Sequence, residues 1–463
     1  MKIALLILAS LLAVPSAQAA PESPRGNAVD ASQSPDAAAV VAAALAKAGE
    51  NGGGEVYLPA GRYLVTQPLT IPSGVTLRGE SRGATRLVLP ADAAFPLLNI
   101  DNAHDVVIRD LTLQQEGDKA TKSAGLAIEN GCRFIVVENV NLIGFGRGFS
   151  VGRTDKTECA NLVFRGCRAE ETRSFGFDFN NCREVLVESC YAYRNWLDGI
   201  KFRKKTRDIT IRGGEASYNG TSRLVKGNSN GNGVDAFAGG EGFLIDGLVC
   251  EHNQGSGIYM KTGGLNLQGF GVVGNAMISN VRCRYNVGSG LDINRSGGDL
   301  SPAPLLANVT VVGGIFEGNT SSGIYVRGRN VVIVSPIVRS NGHHGIDLAS
   351  AYEVDIANPI IAGNGHSLKE GGYGIQIGVD PVKGSANHIR IQGGVIEGAD
   401  DLYLVSGDDA PATAPVLHRR AILVGATAAN VSISGVRFVR WLENGEAVDR
   451  PGIPPTASEA THP

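Results

Sequence analysis

After its first twenty residues the chain has no apolar run long enough to cross a bilayer, which excludes a helical membrane span. It lacks a basic excess: the net charge is −3, so no positive field is available to hold nucleic acid. Aromatic residues are scarce, at 6% with only two tryptophans, which argues against one large globular core. Helical periodicity is almost missing. Seven cysteines cannot all pair, so at least one thiol stays free. Glycine, by contrast, is abundant, at 62 of 463 residues, and it recurs in one setting.

That setting is Gly followed by a hydrophobic, a variable and a hydrophobic residue, with the Gly at 125, 148, 176, 199, 233, 257, 290, 323, 345 and 374. Intervals between these glycines run from 22 to 34 residues, a fixed minimal unit plus variable insertions. Within a unit such as "CREVLVESCYAYRNWLDGIKF" the alternation has period two, the signature of short strands. Three strands per coil, stacked about 10–12 times, predict an all-β, single-stranded right-handed parallel β-helix. An asparagine precedes each bend (Asn195, Asn219, Asn253, Asn286, Asn319, Asn341, Asn364). Its amide can bond to the next coil, and it tolerates a left-handed bend. The cysteines fall at equivalent places in neighbouring coils (Cys132, Cys159 and Cys182; Cys167 and Cys190; Cys250 and Cys283), which predicts mostly buried free thiols and no catalytic one.

Residues 1–19 have one Lys, an apolar stretch and Ala17-Gln18-Ala19, the pattern of a signal peptide cleaved near Ala19, so a secreted or periplasmic protein is expected. Residues 20–50 carry an Ala-rich amphipathic helix that caps the open edge of the solenoid. The β-helix is expected over 51–440, with a long excursion at 402–420 and a Pro-rich disordered tail over 441–463.

Alternation puts the variable residue of each unit on the outer face, towards solvent. Stacking aligns Asp178, Lys201, Asp235, Tyr259, Asp292, Tyr325 and Asp347, with Arg203, Lys261 and Arg327 two residues further along their strands. Insertions 220–232, carrying Arg223 and Lys226, and 263–275 flank the middle of this column. His343 and His344 lie at its edge.

The segment "NGGGEVYLPAGRYLVTQPLTIPSGVTLRGE" (51–80), together with the later coils, resembles the pectate-lyase-like superfamily of right-handed parallel β-helices over roughly residues 35–440. The resemblance implies action on a polysaccharide, usually one rich in uronic acid, and that superfamily holds lyases, hydrolases, C5-epimerases and tailspikes. β-Elimination needs charge neutralisation, a base and an acid. Lys201, Tyr259, Asp235 and Asp292 are the catalytic candidates. Arg203, Lys261, Arg223, Lys226, Arg327, Tyr325, His344 and Asp347 are the substrate-binding candidates. Asp178 and Asp198 are candidates for holding Ca²⁺. No organic cofactor, nucleic acid or oligomeric partner is expected, and an acidic polysaccharide is the expected ligand of a monomer. A hydrolase or an epimerase on the same fold are the alternatives, as is a non-catalytic glycan-binding solenoid. The Asp-Asp and Gly-His-Gly elements of polygalacturonase-like hydrolases are missing from these strands, and "GFDFNN", "GVDAFA" and "GLDINR" lack the Pro-His of alginate epimerases.

Overall fold

A computed structural model describes residues 27–29, 36–117, 122–154, 156–203, 205–221, 231–237, 241–262, 274–295, 307–368, 372–378, 386–397, 418–425, 427–440 and 448–449. Arg223, Lys226, the 1–19 segment, residues 402–417 of the excursion and most of the tail lie outside the described residues.

Each coil contributes three short strands, as Cys182–Glu188, Tyr191–Tyr193 and Ile200–Arg203 do. The strands of each coil pair in parallel with their equivalents in the next coil, giving a right-handed parallel β-helix. The sheet formed by the third strands has thirteen members among the described residues, rather than 10–12. The first two, Leu69–Thr70 and Pro96–Asp101, and the last, His418–Val424, lack the Gly signature on which the sequence estimate rested. Side chains alternate as expected: Ile200, Phe202, Val234, Ala236, Ile258, Met260, Leu291 and Ile293 are all in the core.

The helix Ala37–Glu50 turns Ala37, Ala38, Val41, Leu45 and Ala48 onto the first coil, beside the strand Leu69–Thr70. Two short strands lie outside the bounds expected for the solenoid. Asn27–Ala28 pairs with Val56–Tyr57, and Val448–Asp449 pairs antiparallel with Val439–Arg440.

The asparagine column is continuous. Asn253 Nδ2 donates to Asn286 Oδ1 and to the Ala216 carbonyl, both at 2.9 Å, while Asn253 Oδ1 accepts from the backbone N–H and side-chain amide of Asn219 at 3.0 Å. The same pattern runs from Asn195 to Asn364. The left-handed residue is not the asparagine but the one before it: Arg194, Tyr218, His252, Tyr285 and Ser340 all have φ between 53° and 57°. The asparagine recurs along the solenoid for its two-sided amide, which satisfies a buried carbonyl and a buried N–H on different coils together. Asn253→Ala is expected to cost about 3 kcal/mol or more in urea unfolding, since several buried backbone groups lose partners at once.

The repeated glycines are likewise not bends. A Cβ on Gly257 would stand 2.6 Å from the Gly290 carbonyl oxygen, and one on Gly148 only 1.9 Å from that of Gly176. Neighbouring coils therefore touch backbone to backbone at the start of each third strand. A different pair of glycines closes the base of an insertion: a Cβ on Gly220 would fall 2.8 Å from Gly231 Cα, and one on Gly372 would fall 2.4 Å from Gly365 Cα. All seven cysteines are buried and unpaired, with Cys159 beside Cys182 and Cys250 beside Cys283 in register.

Candidate active site

The expected column exists. Asp178, Lys201, Asp235, Tyr259, Asp292, Tyr325 and Asp347 are direct neighbours on seven successive strands. Arg203 and Lys261 lie two residues further along their strands, beside Asn180 and Asn294 respectively, and Arg327 follows the strand Ile324–Val326.

Most of the column differs from expectation in being covered rather than solvent-facing, with Asp292 and Tyr325 only half-buried. Asp178 and Asp235 are 0% exposed, Lys201 5%, Lys261 6% and Tyr259 9%. Charges at this depth persist only when paired, and these are. Lys201 Nζ donates to Asp198 Oδ2 at 3.1 Å and to Asp235 Oδ2; Lys261 Nζ reaches the same Asp235 oxygen at 2.9 Å. Burial works against the Lys201 ammonium, but Asp198 and Asp235 outweigh it and raise its pKa. Lys201 is therefore a fixed cation and is unsuited to be a base. Phe175 covers this end, its ring centroid 5.5 Å from Lys201 Nζ and 5.0 Å from Arg203 Cζ.

The metal expectation does not fit the donors. Asp178 is held by Arg203 through Nη2, at 2.6 and 2.7 Å, and Nε, at 3.1 Å. Asp198 Oδ1 accepts the backbone N–H and side-chain amide of Asn232 at 2.8 and 2.9 Å, while its Oδ2 accepts from Lys201. Cations and amides already occupy both carboxylates. Among the described residues no group of three potential ligands converges on one point.

Tyr259 and Asp292 are adjacent and oppositely suited to proton transfer. Burial pushes the Tyr259 phenol above its ordinary range, with Asp292 and Asp235 adding to the rise, so it stays protonated. Burial also pushes the Asp292 carboxyl up to about 7, helped by Asp347 and opposed by hydrogen bonds with Asn294 and Ser256 and by the Lys261 charge. The Oδ1 atoms of Asp235 and Asp292 are buried and find no hydrogen-bond partner among the described residues. Lys261 Nζ lies 4.5 Å from the Tyr259 ring centroid. A neutral phenol, a carboxyl that titrates near neutrality and an ammonium thus share two neighbouring coils.

Sequence reasoning named Asp198 and His344 but missed the flanking column they belong to, one residue before each repeated glycine, which also holds Phe175, Asn232 and Ser256. Here a side chain on one coil accepts the backbone N–H of the next. Asn232 Oδ1 accepts from Ser256 N–H at 2.7 Å, Ser256 Oγ from Ser289 N–H at 3.2 Å, and His344 Nδ1 from Tyr373 N–H at 3.2 Å. His344 also stacks on Tyr373 with ring centroids 5.3 Å apart, so the structure engages it in the scaffold beside Asp347. Aligning the repeats one position earlier would have exposed this column.

A family model described as rhamnogalacturonase A/epimerase, pectate lyase-like matches residues 27–259, half of the chain. No curated protein matches at the sequence level. Among solved structures, the Dettilon tailspike protein superposes with a TM-score of 0.54 at 13% identity, covering 89% of this chain and 70% of that one. The Agl-KA catalytic domain gives 0.50 at 14% identity, over 90% and 70% of the two chains. The A-module of an Azotobacter vinelandii mannuronan C-5 epimerase gives 0.43 at 19%, over 86% and 92%. At 13% and 14% identity the first two of these speak for a shared fold alone. Among the described residues, no helix is long and apolar enough to cross a membrane.

Proposed function

Since the chain belongs to the rhamnogalacturonase A/epimerase, pectate lyase-like family, we propose that it acts on a polysaccharide and cuts a uronic-acid-containing one by β-elimination. The observation that carries this reading is the Tyr259–Asp292 pair, a retained phenolic proton beside a carboxyl that ionises near pH 7. In its ionised form Asp292 takes the C5 proton of the uronate. The C5 electron pair forms the C4=C5 double bond as the C4–O4 bond breaks, and Tyr259 gives its proton to the departing O4. Lys261 supplies positive charge where the uronate carboxylate gains electron density. Lys201 and Asp235 keep Lys261 and Tyr259 in place from the next coils.

Incubation with alginate, pectate, glucuronan and acidic exopolysaccharides tests the reaction. Ultraviolet absorbance of an unsaturated uronate supports elimination. New reducing ends without it mean hydrolysis, C5 deuterium exchange in an intact polymer means epimerisation, and binding alone means a lectin-like solenoid. Tyr259→Phe keeps the buried ring and is expected to lower kcat about 10²-fold with the fold intact. Undiminished turnover would remove Tyr259 from the mechanism. Hydrolysis is the second reading, because Asp235 and Asp292 are two coils, about 10 Å, apart, close to the spacing of an inverting carboxylate pair.

A further inference from the structure

At the N-terminal end of the column the charge balance turns positive. Asp178 is satisfied by Arg203 and by Asn180 Nδ2, at 3.1 Å, and Arg153 stands 3.7 Å away. Glu129, the other carboxylate here, accepts from the Thr154 backbone N–H at 3.0 Å and from its hydroxyl at 3.1 Å. Arg147 opens the strand Arg147–Val151, one coil before Asp178, at the register position that Phe175 fills on the next coil. Phe175 projects over the outer face, against Lys201 and Arg203, so Arg147 occupies the start of the same covered strip. Unlike those of its neighbours, the guanidinium of the partly buried Arg147 makes no hydrogen bond or ion pair with another described residue, while its backbone N–H donates to the Ser123 carbonyl at 2.9 Å. Burial lowers its pKa, and repulsion from Arg153 and Arg203 adds to this against the pull of Asp178 and Glu129. Three guanidiniums thus meet two carboxylates, and both carboxylates are already engaged.

We propose that Arg147, with Arg153, forms a subsite for an anionic group on the glycan, a carboxylate or a sulfate ester, about four sugar residues from the bond acted on. The spacing follows from register. Ser150, Asp178, Lys201, Asp235 and Tyr259 are successive neighbours, so four coils separate the arginines from the acid. Each coil rises about 4.8 Å, roughly the length of one pyranose in a chain. A guanidinium with unused donors in a partly desolvated setting favours a planar or tetrahedral oxyanion, which it can meet with two parallel hydrogen bonds. The inference rests on the chain being glycan-active and not on which reaction follows.

The test is binding, measured by calorimetry on the full chain carrying Tyr259→Phe, so that turnover does not intrude. The probes are polygalacturonate, alginate and glucuronan, their carboxyl-reduced forms, a uronate trimer, and dextran sulfate. Arg147→Gln is expected to weaken the tightest-binding anionic polymer about tenfold, while Arg147→Lys recovers part of the loss. The trimer, too short to span four coils from the acid, should be unaffected, as should the carboxyl-reduced polymers. A loss confined to the uronates assigns a carboxylate, and one confined to dextran sulfate assigns a sulfate. Equal losses for trimer and polymer, no loss at all, or no binding of any anionic probe to the Arg147 protein overturns the subsite. Arg147→Gln should leave the melting temperature unchanged, so misfolding cannot imitate the result. Absence of unsaturated product alongside a polymer-selective loss would reject elimination while keeping the subsite.

Discussion

Asp292→Asn is expected to lower kcat about 10³-fold and at the same time to raise the melting temperature at neutral pH. The catalytic half follows from the proposed role of Asp292 as the proton acceptor, for which the amide has no basic oxygen of comparable strength. Wild-type kcat/KM should rise as pH passes upward through about 7, where the Asp292 carboxyl ionises, and the residual activity of the variant should lose that step. The stability half follows from the same shift with its sign worked through. In the unfolded chain Asp292 ionises near the ordinary value of about 3.9, whereas folded it holds its proton up to about 7. Below both values the two states are equally protonated and nothing is lost. As pH climbs from about 4 the unfolded state ionises first and is favoured, a destabilisation complete above about 7. The variant lacks this term, so the gap in melting temperature should widen between about pH 4 and 7. A variant with normal turnover, or a gap that does not change with pH, would contradict the assignment.

Lys201→Met is expected to destabilise the fold by about 3–5 kcal/mol, read from the urea midpoint, because it strands two buried carboxylates against each other. Asp198 would keep only Asn232, and Asp235 only Lys261 as its cation. Pairing Lys201→Met with Asp235→Asn removes one charge of each sign and should restore much of the loss, a coupling that a double-mutant cycle measures. A single-variant cost below about 1 kcal/mol would mean that these charges are effectively solvated. Because Lys201 holds the site together, a fall in turnover on its removal does not identify it as the group that moves a proton. Tyr259→Phe, which breaks no ion pair, gives the cleaner reading.

The column itself was legible because it depends only on local pattern: a glycine, a core residue, an outward residue and a core residue, repeated often enough to count. Once the fold is a stack of coils, register follows from the glycines, and all seven column residues fell beside their expected neighbours. What could not be read was the depth of the face. Lys201 meets Asp198 three residues away but Asp235 thirty-four residues away, and only the second contact shows that the ammonium is paired on both sides. Whether an aspartate binds a metal or an arginine is equally a matter of what stands opposite it, and Arg203 opposite Asp178 removes that metal candidate. Arg147 escaped notice for the opposite reason. At position 147 the alternation predicts an inward residue, and the outward bend of the turn column reverses it.

The glycine pairs at the bases of the insertions have a consequence for how such a protein can change. Where Gly220 meets Gly231, and Gly365 meets Gly372, the chain leaves a coil and returns to it at nearly one point. At the first neck the asparagine rung before the exit and the backbone contact after the return join residues outside the insertion: Asn219 Nδ2 donates to Asn253 Oδ1 at 3.0 Å, and Gly233 abuts the Gly257 carbonyl. Closing a longer loop costs only about 0.6 kcal/mol per doubling of its length. Each such neck therefore works as a cassette port: segments can be lengthened, shortened or exchanged beside the candidate site without renegotiating the core. Grafting at these two necks is the economical route to a new glycan preference on an unchanged solenoid.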